Sequence, residues 1–129
     1  MSDPVETIEV TTKLQVPIQR VKDLVSAAME GGVQYWAKIA RYELDGVTKP
    51  EFPHINVPFM PGCAIIIDDI EGDPELSNKR LDMDAMKRGL QLMADKNPRH
   101  FKELLDEGED AETGDVFIQL CVYGEIVFG

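Results

Sequence analysis

The sequence predicts an α+β fold, and three observations predict it. Apolar and polar residues alternate over residues 5–16, the pattern of a half-buried strand. An apolar stripe at helical spacing follows and is stopped by Gly31-Gly32. A short β-branched run at 63–70 then gives way to a second half that is largely helical in period. The reading is a small antiparallel sheet of about three strands, packed against one N-terminal helix and two to three C-terminal helices. At 129 residues the chain forms one domain, with a strand-helix-strand-loop-strand half over 1–70 and a mainly helical half over 80–129.

In the first strand, Val5, Ile8, Val10, Leu14 and Val16 alternate with Glu9, Thr11, Lys13 and Gln15. Its recurring polar face suits a sheet edge. Pro17 fits the first turn of a helix, where a missing N–H costs nothing. Val21, Leu24, Val25, Ala28 and Met29 then form the stripe of a helix over 18–30. Gly31 is placed to take the left-handed conformation that closes a helix, with Gly32 completing a sharp turn. Residues 33–44 can be read as helix or strand, and their aromatics favour strand. Here lie Tyr35 and Trp36, the latter the chain's single tryptophan.

Asp45-Gly46 signals a turn. Four prolines, Pro50, Pro53, Pro58 and Pro61, then make a loop pinned by Phe52, Ile55, Val57, Phe59 and Met60. Residues 63–70 read as a buried strand and 71–78 as a polar loop. Asp82 or Asp84 starts a helix carrying Met83, Met86, Leu90 and Met93, and Asn97-Pro98 opens a shorter one that turns Phe101, Leu104 and Leu105 inward. The tail, 115–128, is strand or helix by pattern, and its length favours helix. It is expected to close as an apolar lid over the first helix and the aromatic strand.

Thirteen basic against twenty-four acidic side chains give a formal charge of −11. That field repels nucleic acid phosphates and anionic membrane, so direct binding to either is not expected. No apolar run reaches the roughly 18 residues of a membrane span, and the N-terminus lacks the pattern of an export signal. Cytoplasmic residence follows as the expectation, with Cys63 and Cys121 as buried reduced thiols.

Two motifs carry a resemblance. GGVQYW at 31–36 is similar to the GG-x-x-YW signature of small proteins from tailed bacteriophages and prophages, and DAETGDVFIQLCVYGEIVFG at 110–129 resembles the end of the same group. RGLQLMADKNPRHFKELL at 88–105 matches in character. The resemblance implies a phage or prophage accessory protein in the host cell. It implies no mechanism.

Tests for chemistry come back empty. His54 and His100 have no His or Cys at ligand spacing, and the acidic run Asp68, Asp69, Glu71, Asp73, Glu75 lacks a calcium-loop pattern. No nucleophile sits in an activating context, so no catalytic residue, metal or cofactor is expected. Binding remains. One reading is an acidic, non-enzymatic factor that engages a host protein, as an anti-defence or host-takeover protein does. A second is an oligomer that sequesters a small anionic ligand such as a nucleotide signal, with Tyr35 and Trp36 stacking and Lys38 and Arg41 meeting phosphate. A third is a structural role in the virion. The tail's excess of apolar side chains hints at a homodimer or higher oligomer.

Overall fold

A computed structural model describes residues 5–45, 54–106, 108 and 110–129. Gly46 of the expected turn, and Pro50, Phe52 and Pro53 of the proline loop, lie outside them. The architecture is α+β: one antiparallel sheet of three strands under a layer of helices. Strand β2 (Ala64–Asp69) is central, between β1 (Ala37–Glu43) and β3 (Lys79–Leu81). Ile39 pairs with Ile67, and Arg41, Ile66 and Arg80 line up across all three strands. An irregularity between Ile39 and Arg41 makes Ala40 the extra residue of a bulge.

The expected strand over 5–16 is corrected. These residues run extended outside the sheet; Val5, Ile8, Val10 and Leu14 face solvent, from 61% exposure at Leu14 to 90% at Ile8, and only Val16 packs against the core. Alternation marks a segment able to be a strand, but a strand exists only beside a partner. The third strand is instead β3, in a stretch of three residues too short to display a period. It follows the loop expected at 71–78, which contains one short 3₁₀ turn at Pro74–Leu76.

The first helix, α1 (Ile18–Ala27), buries Val21, Leu24 and Val25 as its stripe requires. It continues into a single wide π-turn, Ala28–Gly32. The glycine pair is therefore not a left-handed stop, since neither residue has positive φ. Gly32 answers to a close approach instead. A Cβ there would lie 2.2 Å from the carbonyl oxygen of Ala111, whereas one on Gly31 meets nothing within 4 Å.

Helix α2 (Met83–Lys96) starts where Asp82 caps the N–H of Ala85 at 2.9 Å, and it buries Met86 and Met93. Pro98 opens α3 (Pro98–Leu105), which buries Leu104 and leaves Leu105 exposed rather than inward. The tail resolves as helix α4 (Ala111–Tyr123), beginning earlier than 115 because Asp110 accepts from the N–H of Thr113 at 2.9 Å. It ends at Gly124, whose φ of +73° closes the last carbonyls.

Helix α4 is not a lid. It contacts α1, the π-turn, α2, α3 and β3, and it buries Gly114, Phe117, Ile118, Leu120 and Cys121. A helix apolar over most of its circumference belongs in the middle of a layer. Below it the inward side chains of the sheet, Ile65, Ile67 and Leu81, complete the core.

Candidate functional site

The segments 31–36 and 110–129 fold against each other around one carboxylate. Asp115, near the start of α4, accepts from the indole N–H of Trp36 at 2.7 Å and from the Tyr35 hydroxyl at 2.6 Å. Gln119, one turn on and fully buried, donates to the same carboxylate at 2.9 Å. Its amide also donates to the carbonyl of Phe128 at 3.0 Å and accepts from the N–H groups of Val127 and Phe128, both at 2.8 Å. All the hydrogen-bonding capacity of Gln119 is thus used, as burial of an amide demands.

The clasped tail brings Phe128 onto Trp36. The two rings stack with centroids 5.0 Å apart and planes 10° apart, and Tyr123 tilts against the indole at 5.5 Å. Trp36 is core, only 1% exposed. Tyr35 lies over half in solvent, yet its hydroxyl is held by Asp115. Partial burial first, and the bond and charge of Asp115 next, push its pKa up to about 12.

Lys38 and Arg41 point elsewhere. They alternate with inward Ile39 and Tyr42, so they share the outward face of β1. Arg41 donates to Asn78 at 2.8 Å and to Glu43 at 3.3 Å, and Glu43 also binds Arg80. The arginines flank Ile66, which is buried on this outward face. The four residues read from the sequence as a ligand set therefore divide. Tyr35 and Trp36 belong to the Asp115 cluster, and Lys38 and Arg41 to a charged sheet face.

The turn between β2 and β3 carries the acidic run. Asp69 is buried and accepts from the N–H groups of Glu71 and Asp73, both at 3.2 Å, which fixes the turn. Asp68 accepts from the N–H of Asn78 at 2.8 Å, and Glu71, Asp73 and Glu75 project into solvent. Tyr123 reaches this turn from α4 and donates to the carbonyl of Leu76 at 2.7 Å. Burial first, then the charges of Asp69, Asp73 and Asp68, push its pKa up to about 12. The acidic pole thus lies beside the aromatic cluster, joined to it through Tyr123.

A third polar cluster ties α3 to α4. The buried hydroxyl of Thr113 donates to Glu103, and Nδ1 of His100 lies 3.4 Å from it. Thr113 has no exposed surface, so no substrate can reach that hydroxyl. Both cysteines are free and buried, and burial drives the Cys121 pKa well up, which leaves its thiol protonated and inert. Among the described residues no group of His, Cys, Asp and Glu is arranged to hold a metal ion. None of the described helices is long and apolar enough to cross a membrane.

Asp115, Gln119 and Phe128 escape a reading that treats the tail as uniformly apolar. The signal is there: Asp115, Gln119 and Tyr123 recur every four residues through an apolar run, which puts three polar groups on one helix line. No protein-family model, curated protein or solved structure matches the chain.

Proposed function

We propose that this is a non-enzymatic accessory protein of phage or prophage provenance that acts by binding a basic host protein. The observation that carries the reading is the acidic pole at the β2–β3 turn. Glu71, Asp73 and Glu75 stand exposed on a turn whose backbone is fixed by Asp69, so their charges are presented from a rigid base. The formal charge of −11 surrounds them. A preorganised negative surface steers a positive partner and rejects nucleic acid. Occupation of a groove that normally takes nucleic acid phosphates is the form of binding this charge pattern suits, and it is the chemistry an anti-defence factor requires.

Sequestration of a nucleotide near Trp36 and Arg41 draws less support. The guanidinium of Arg41 is engaged by Asn78 and Glu43, and both ring and N–H of Trp36 are occupied within the core.

The test is capture from a bacterial lysate with the full chain as bait, eluted by a salt gradient. A basic protein should be retained at low salt and released as screening rises. The variant Glu71→Gln/Asp73→Asn/Glu75→Gln should shift release to lower salt. Retention that ignores both salt and this variant would overturn the reading.

A further inference from the structure

Strand β1 has a single neighbour, β2, so the backbone along its other edge has no strand partner among the described residues. An open edge is a template for a further strand. Beside it Ile39 is 42% exposed and, with Met29, Val33, Ile67 and Lys38, lines an apolar groove of about 230 Å³. The edge thus lacks both a ladder partner and a side chain to fill its groove.

Residues 5–16 have the complementary need. Ile8, Val10 and Leu14 share one side of this extended arm and Glu9, Thr11 and Lys13 the other, yet the arm has no strand partner among the described residues and these three aliphatic side chains stand in water. It leaves α1 along α2 and α3, where residues 9–16 border an unfilled groove of about 570 Å³ shared with Leu90, Gln91 and Phe101. Neither α2 nor α3 makes a substantial contact with β1. Its own course therefore carries the arm away from its own edge.

Charge selects the match. Along the outward face β1 presents Lys38, Arg41 and Glu43, and Lys38 has no ion pair among the described residues. Laid parallel to β1, with Ala40 taken up by the bulge, the arm sets Glu9 beside Lys38 and Lys13 beside Glu43. In the same register Val10 falls beside Ile39, at the apolar groove. Opposite charges and apolar pairs on neighbouring strands are what fixes a pairing.

We propose that the arm of one copy adds as a fourth strand to the β1 edge of a second copy, and reciprocally, closing a two-fold dimer by strand exchange. The β1 edge of each copy is taken by the arm of the other, so the exchange itself closes at two. This dimer is independent of the acidic pole, and its failure leaves the binding reading above untouched.

Light scattering on the full chain should give twice the 14.5 kDa of one copy. Removal of residues 1–14 should give the single mass with an unchanged circular dichroism spectrum, because residues 5–14 are exposed and contribute little to the core. Ile39→Lys, on the edge itself, should weaken self-association at least tenfold. The pair Val10→Cys/Ile39→Cys should cross-link between copies on oxidation, since both native thiols are buried. A single mass for the full chain, a dimer that survives loss of the arm, or a cross-link confined within one chain would each overturn the proposal.

Discussion

Gly31 and Gly32 stand side by side, and only one of them needs to be glycine. A methyl group on Gly31 enters open space, so Gly31→Ala removes backbone freedom from the unfolded chain and should be neutral or stabilise by up to about 1 kcal/mol. A methyl group on Gly32 drives into the backbone of Ala111, which cannot swing aside, and Gly32→Ala should cost about 2 kcal/mol or more. Urea midpoints for the two variants check the contrast. The sequence shows a glycine pair after a helix but not which member is crowded, because the crowding comes from residue 111. Asp115 is the second residue on which much depends. Asp115→Ala leaves the indole N–H of buried Trp36 without its acceptor, a loss of about 1–3 kcal/mol for that group alone. The same change removes the bond that holds the Tyr35 proton, so the late phenolic titration near pH 12 should become earlier. In the intact protein Tyr35 and Tyr123 have pKa values raised above the ordinary 10. Their contribution to stability is fully present below pH 10 and is lost as pH rises through about 12. Ultraviolet titration beside a denaturation curve across that range tests both statements.

At the scale of elements, legibility followed the length of the repeating signal. Helix α1 carries its stripe through three turns, and β2 is a run of β-branched residues flanked by a glycine and acidic side chains, so each is readable from its own residues. Asp82 and Pro98 mark two helix starts by their chemistry. Strand β3 has three residues and exists because Arg80 and Leu81 meet β2, a fact located in another part of the chain. The arm at 5–16 shows the converse error, a strand pattern with no partner in the same copy. Helix α4 was ambiguous because Val116, Phe117, Ile118, Leu120, Cys121 and Val122 cover most of its circumference, and period alone cannot place such a run. Its start depends on Asp110, whose pKa is lowered chiefly by the N–H of Thr113. Asp110→Ala should therefore cost about 1 kcal/mol at neutral pH. A lowered carboxylate pKa stabilises above its unfolded value, ordinarily 3.8, and this support is lost as pH falls through the folded value. The variant's deficit should accordingly shrink in acid, as thermal melts at neutral and acid pH can establish.

For the whole molecule, the candidate site was half legible. Tyr35 and Trp36 were read from the sequence as a stacking pair for a ligand, whereas their hydrogen-bond partner, Asp115, lies about 80 residues away beside Gln119. The separation of Lys38 and Arg41 from them follows from strand alternation, which can be written down only after β1 is known to begin at Ala37. The acidic balance was plain from composition. Its concentration on a turn braced by a buried Asp69 required the fold.

The stacking of Phe128 on Trp36 also has a consequence in time. A ribosome emits the indole well before its covering ring, and at 5–20 residues per second the gap is roughly 5–20 s. Throughout that interval the stacking partner of Trp36 has not yet been made, so the indole cannot complete its native packing before residue 128 is synthesised. Stalled chains cut just before Phe128 should show a tryptophan emission red-shifted toward that of an open chain, and extension past it should move the emission to the blue.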